Sequence, residues 1–327
     1  MIKLVFTPRS KRCVAVVALL LTASGVVGSE DDTAGIVGRQ LLGAVKSGNV
    51  DQMVNTALNA VTDETTSTAQ HFLLDLFPTA EVQARVSDSY GVEGSVLLLK
   101  PIFESDDHSN LLFTQGSVHR YNKRTTVNVG IGLRHLTLDK KLLVGLNGFF
   151  DHELPYDHQR TSIGAEIRTT VGEINANYYR GLSGWNQGRN GNHERAMDGF
   201  DIELGIPLPY MPRTRLYGGY FEWEAQSGSF QDHGWKASVE AELYKGFYVE
   251  AGHRNVEAGQ PDAAFVNIRI NVLDLLTDRK KGKPFFSDVA YKLDSMEERR
   301  YEKVRRENLI RKETRQNANF TVTVAGF

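Results

Sequence analysis

The chain has 327 residues, a formal net charge of −2, one cysteine and 41% hydrophobic residues, with a mean hydropathy of −0.34. No run of eighteen apolar residues occurs after residue 30, which excludes a membrane-spanning helix there but not a membrane barrel, whose strands carry apolar residues only at alternate positions. The mild acidity offers no electrostatic case for nucleic acid as a partner.

Residues 1–29 read as a secretory signal peptide. Lys3, Arg9, Lys11 and Arg12 form a basic start, 13–27 is apolar, and Gly28-Ser29 offers a small-residue cleavage point. Its removal takes the four bases and Cys13 with it, so the charge becomes −6 and no cysteine remains. Disulfide, zinc-thiolate and cysteine-nucleophile chemistry fall away.

In residues 30–78 the apolar positions fall at helical spacing (Ile36, Val37, Leu41, Leu42, Val45; then Met53, Val54, Ala57, Leu58, Val61), broken at Gly48-Asn49 and at 62–68. The spacing predicts a short periplasmic helical segment. Its polar faces lack the Lys/Arg excess of a lipid-binding helix, which favours packing against other protein.

From residue 79 the period changes to two. Strands are predicted at 80–90, 92–104, 111–121, 125–136, 142–153, 158–170, 172–185, 198–209, 214–225, 233–245, 246–256 and 263–273. The hairpin at 125–154 shows the pattern well: Val127, Val129, Ile131 and Leu133 alternate with Asn128, Gly130, Gly132 and Arg134. Such alternation suits a soluble sandwich as well as a barrel. Export, an even number of strands, lengths near ten residues and aromatics near strand ends (149–150, 178–179, 185, 210, 223, 247–248) favour a twelve-stranded antiparallel transmembrane β-barrel, an all-β fold of the outer membrane.

Arg134, Asp201, Glu203, Lys236, Glu240, Arg254 and Arg269 are predicted to face the lumen, in structural rather than catalytic roles. The short connections at 139–141 and 245–246 contrast with the long polar stretches 186–197 and 226–232, which read as extracellular loops. His152, Glu153, Asp157 and His158 lie in HELPYDH, but Pro155 forbids the helix that an HExxH zinc site requires. With no G-x-S-x-G elbow and no phosphate-binding loop, the expectation is no catalytic, cofactor or metal site.

After Leu273 the alternation ends. Residues 278–315 hold thirteen Lys/Arg and eight Asp/Glu, and 288–316 has helical composition; a basic helix would be drawn into an acidic lumen, although a charge run is more often a solvated tail.

Several stretches in order, FPTAEVQARV, NLLFTQGSVHRYNKRTTVNVGIGLRH, LLVGLNGFFDHEL, SIGAEIR, NYYRGLSGW, DGFDIELGIPLP and LYGGYFEWE, resemble the β-domain of the intimin/invasin family, the inverse autotransporters, over residues 72–276. The tail RYEKVRRENLIRKE resembles the linker that in this family runs back through the pore, and thereby assigns Arg300, Tyr301, Val304, Arg305 and Asn308 to a plug. The resemblance implies an outer-membrane barrel (79–276) and a linker helix in the pore with a short tail (277–327), in a Gram-negative bacterium. It also implies lipid, the barrel assembly machinery and periplasmic chaperones as partners, and export of a C-terminal adhesive passenger. The dozen residues after Arg315 are too few for such a passenger, and residues 30–78 show no peptidoglycan-binding module. The expected function is therefore translocator, with any host-cell or surface ligand unspecified. A porin-like channel and a surface-loop binding protein stand as alternatives.

Overall fold

The computed structural model describes residues 77–89, 91–228, 231–257, 262–276 and 284–315. The predicted signal peptide and the helical segment up to residue 76 lie outside the described residues.

Twelve strands close into one antiparallel barrel: β1 (Thr79–Ser87), β2 (Gly91–Glu104), β3 (Asn110–Tyr121), β4 (Arg124–Thr137), β5 (Leu142–Leu154), β6 (His158–Arg168), β7 (Glu173–Gly181), β10 (Asp198–Leu208), β11 (Met211–Glu224), β12 (Gln231–Tyr244), β13 (Phe247–Val256) and β14 (Ala263–Asn271). The seam pairs β1 with β14 from Glu81↔Asn271 to Ser87↔Phe265. A short helix, α1 (Val272–Leu276), follows β14. Between β7 and β10, the two short strands β8 (Asn186–Gln187) and β9 (His193–Ala196) form a hairpin, and β15 (Lys312–Arg315) adds to it in the order β15-β9-β8. The stretch 186–197, predicted as a plain loop, is therefore paired structure.

The period of two sets the wall. On β4, Asn128, Gly130, Gly132 and Arg134 are buried toward the lumen, while Ile131 and Leu133 are exposed on the outside. The outer face continues as Leu146, Ile163, Ile167, Ile202, Leu204, Ile206, Val239 and Ile268, an apolar belt that only lipid can cover without cost. A closed sheet leaves no unpaired edge in hydrocarbon, which is why this topology can span a bilayer.

The aromatics divide between the two faces. Phe150, Tyr178, Phe200, Tyr220 and Trp235 are outward and exposed, with Tyr178 paired to Phe200 and Tyr220 to Trp235 across neighbouring strands, a girdle at one end of the belt. Phe149, Tyr179 and Trp223, read from the sequence as girdle members, are instead buried in the lumen; for the first two, the neighbours Phe150 and Tyr178 carry the girdle. Gly130 makes room for Phe149, Gly132 for Phe113 and Gly199 for Trp223, since a methyl at each position would run into the ring beside it.

Because consecutive strands are antiparallel, connections alternate between two ends. The connections at 105–109, 138–141, 169–172, 209–210 and 245–246 form a turn end; those at 122–123, 155–157, 182–197 and 225–230 form a loop end. Ile163, outward and near the middle of β6, tests the lipid belt: Ile163→Arg should cost about 2–4 kcal/mol of barrel stability, read by guanidinium titration in phospholipid vesicles.

Candidate functional site

The lumen is occupied by the chain's own C-terminal part. Residues 284–296 first follow the rim at the turn end. Tyr210 holds it by two backbone hydrogen bonds, accepting from Ser287 N at 2.9 Å and donating to Ala290 O at 3.2 Å, and Met296 N donates to Lys140 O at 2.7 Å. One 3-10 turn at Glu297–Arg299 then directs the chain inward. From there it runs extended to the loop end, where β15 pairs with β9 from Lys312↔Ala196 to Arg315↔His193.

This corrects the expected linker helix: apart from the 3-10 turn at 297–299, residues 297–315 form no helix, because helical composition is a weak prior and the wall offers the segment's peptide groups and side chains partners on all sides. An extended chain presents successive side chains to opposite walls, so adjacent Arg305 and Arg306 reach Glu203 on β10 and Asp151 on β5.

An extended segment inside a barrel has no neighbouring strand, so its peptide groups need other partners. The wall supplies them. Arg134 donates to the carbonyls of Arg300 and Glu302, both at 2.6 Å; Arg168 to Lys303 O at 3.1 Å; Asn177 to Arg305 O at 3.0 Å; Arg160 to Glu307 O at 2.7 Å and Leu309 O at 3.1 Å; and Asn128 to Asn308 O at 3.0 Å. Val304 N donates to Gln115 Oε1 at 2.9 Å, and Glu307 N to the Tyr179 hydroxyl at 2.7 Å.

The charges match in the same way. Arg299 meets Glu173 at 2.5 Å, Arg300 meets Glu104 at 2.8 Å, Lys303 meets Glu81 at 3.0 Å, Arg306 meets Asp151 at 2.7 Å and Lys312 meets Glu153 at 2.6 Å, with Arg305 on Glu203. Arginines also stack on lumenal rings: Arg306 lies 4.4 Å from the Phe149 centroid and Arg305 3.7 Å from that of Tyr217.

The residues read from the sequence as lumenal take the following places. Arg134 pairs with Glu166 at 2.5 Å; Asp201 accepts from Tyr179 Oη at 2.5 Å and Asn177 at 2.7 Å; Glu203 also holds Lys236 at 3.1 Å; Arg269 bridges Glu81 and Glu240 at 2.8 and 3.0 Å; Arg254 is buried over the Phe221 ring. Among the plug residues, Arg300 and Tyr301 both bind Glu104, Val304 packs with Leu99, Leu111, Phe113 and Phe149, and Asn308 is held through its carbonyl. Sequence reasoning missed the wall partners Glu81, Glu104, Gln115, Asp151, Glu153, Arg160, Arg168 and Glu173. The signal was available for several: Asp151 and Glu153 share the parity of Asn147, and Glu166 and Arg168 that of Gly164.

At the loop end, ligand atoms of Glu153, His158 and Glu194 lie within 4.8 Å of one another. Their charge is met by protein cations: Arg124 binds Glu153 at 2.7 Å and Glu194 at 2.8 Å, and Lys312 binds Glu153.

A family model described as inverse autotransporter, beta-domain, matches residues 37–308, most of the chain. The chain belongs to the inverse autotransporter β-domain family. Relatives of this inverse autotransporter domain include an attaching and effacing protein homolog of Escherichia coli (strain K12), 34% identical over 154 residues, 45% of this chain and 51% of that protein. The inverse autotransporter adhesin YeeJ of the same strain is 32% identical over 184 residues, 55% of this chain and 8% of that protein. Invasin of Yersinia enterocolitica is 28% identical over 185 residues, 56% of this chain and 21% of that protein. The aligned part thus spans about half of the first relative and far less of the other two. A solved structure from work on the in-meso crystallization of membrane proteins shares the fold with a TM-score of 0.58 at 21% identity, covering 72% of this chain and 99% of that one. The inverse autotransporter β-domain is an outer-membrane barrel of a Gram-negative bacterium, and its distinguishing content here is the threaded segment.

Two predictions follow from the lumenal contacts. Asp151 lies between Arg160 and Arg306 with all three side chains 0% exposed, so Asp151→Asn should destabilise the barrel by about 3–5 kcal/mol by stranding buried cations; guanidinium titration and faster amide exchange at Glu307 would register it. Glu194 sits on β9, outside the membrane-spanning strands; burial pushes its pKa up, but hydrogen bonds from His158 and Arg124 and the charge of Arg124 outweigh this and hold it at about 2, below the usual 4.5. With the folded value below the unfolded one, its contribution is complete above pH 4.5 and is lost as pH falls toward 2. Amide exchange of β9 and β15 should accelerate over that window.

Proposed function

We propose that this barrel is a translocator of the intimin/invasin type, which exports or displays its own C-terminal region through the lumen. One observation carries the reading: residues 297–315 cross the lumen from the turn end to the loop end and finish as a strand paired to the loop-end hairpin. A pore serving only passive diffusion has no use for a resident chain in which Arg299, Arg300, Lys303, Arg305, Arg306 and Lys312 each meet a wall carboxylate. On this reading residues 1–29 are the signal peptide, 30–78 a periplasmic segment, 79–276 the barrel and 277–327 the linker, with the loop end facing outward.

The proposed partners are outer-membrane lipid, the barrel assembly machinery and periplasmic chaperones. Adhesion, for which YeeJ is named, is carried over as a property of the displayed region, its host-cell or surface ligand unspecified. The proposed activity is not enzymatic, since the buried acids and bases described above are engaged with one another in structural pairs.

The test is a small tag after Phe327, probed with antibody and protease on intact cells, with insertion confirmed by heat-dependent gel mobility. The tag should be reached from outside. An inserted barrel with a protected tag would overturn the translocator reading in favour of a plugged or gated channel; in bilayers a plugged translocator should conduct little until residues 277–327 are deleted, whereas a porin-like channel should conduct as the intact chain.

A further inference from the structure

The threaded segment does not fit the lumen evenly. Between Glu297 and Asn308 only Arg299 and Val304 are buried as whole residues; the Arg306 side chain is covered in its pair with Asp151, whereas those of Glu297, Arg300, Glu302, Lys303, Arg305 and Glu307 stay partly exposed. A cavity of about 620 Å³ lies at the turn end, with Glu104, Arg215, Tyr248 and Arg269 among its walls. A smaller one of about 150 Å³ lies further in, between His119, Phe221, Arg254 and Asn308. Charged and amide groups line much of both, the smaller also bordering Phe221 and Trp223, and polar groups of this kind can hold water.

The fit then changes abruptly. Leu309, Ile310, Arg311, Lys312 and Glu313 are five consecutive residues with 4, 0, 1, 3 and 1% exposure. Leu309 packs on Ala263, Phe265 and Tyr121, at the loop ends of β14 and β3. On the other side of the mouth, Met197, Trp223, Ala225 and Val256 form a second buried apolar group. The hairpin fixes the segment in this ring: Met197 N donates to Arg311 O at 2.9 Å, Arg195 holds Glu313 at 2.8 Å, and Ser227 donates to Glu313 at 2.7 Å.

We propose that this tightly packed loop-end mouth, closed by Leu309 and Ile310 and clasped by β8, β9 and β15, is the barrel's permeability barrier against ions and hydrophilic solutes. The charged lumen below it holds the chain without sealing the pore. An ion crossing so tightly packed a ring must shed its hydration, and the polar groups there are already engaged with one another, Arg160 on the Leu309 carbonyl, Lys312 on Glu153 and Arg195 on Glu313, whereas the spaces below leave room for water. The clasp adds the geometric half of the seal, because a paired strand cannot sway aside as a single extended chain can. The proposal rests on the translocator reading only for which side of the membrane the loop end faces.

The experiment uses the full chain in planar lipid bilayers. Leu309→Gly combined with Ile310→Gly should raise conductance at least about tenfold over the unmodified chain, and should sensitise intact cells to a hydrophilic antibiotic too large for ordinary porins. Tyr248→Ala, which widens the turn-end cavity, should leave conductance unchanged. Should the glycine variant fail to insert, Phe265→Ala opens the same ring from the wall and should conduct. A closed pore in both mouth variants, or equal conductance from Tyr248→Ala, would overturn the proposal. A protected tag after Phe327 would instead overturn the translocator reading and leave the seal standing, since bilayer conductance reads the mouth from either side.

Discussion

An extended polypeptide held inside a closed sheet has no strand beside it, and every peptide group it carries away from bulk water needs a partner. That constraint explains the lumen's composition. Arg134, Arg160, Arg168, Asn128 and Asn177 point inward as donors to the carbonyls of the threaded segment, a role a neighbouring backbone would normally fill. Arginine suits it because its fork can bind a carbonyl and a carboxylate at once; Arg134 does so with Glu166 on the wall and two carbonyls on the segment. The wall's inward pairs therefore specify where the segment lies.

The same constraint makes the ion pairs selective. Isolated buried pairs add little net stability, because desolvation offsets much of the attraction. Here the cations of one short segment are distributed over carboxylates on β1, β2, β5, β7 and β10, so a shift by one residue would leave several of them opposite the wrong wall. Specificity of register, more than net energy, is what such an array provides.

Much of this was legible in the residues. The two-residue period located all twelve barrel strands, because a wall between lipid and a polar lumen forces strict alternation. It failed where both faces carry the same residue type: in Phe149-Phe150 and Tyr178-Tyr179 one ring goes to each side, and only register decides which. The conformation of 297–315 was illegible for another reason. Glu, Lys, Arg and Leu favour a helix when nothing else is specified, and the groups that overrule that preference sit on eight barrel strands, β1 to β7 and β10, far away in sequence. The hairpin β8–β9 is likewise hidden in a polar, Gly-containing stretch whose pairing depends on a strand more than a hundred residues later. The seven charges assigned to the lumen followed from parity alone, while their partners required the closed ring.

The direction of the threaded segment has a mechanical meaning. A pull applied beyond residue 315 acts along the barrel axis, parallel to the extended backbone and across the side-chain contacts that hold it. Contacts arranged this way are strained together in shear, whereas a peeled sheet gives way one rung at a time. The ring of strands encircles the segment, so tension tightens none of the barrel's own hydrogen bonds and opens none of them. A barrel threaded like this behaves as an anchor whose holding strength is set by its lumen, independently of how firmly its sheet is closed.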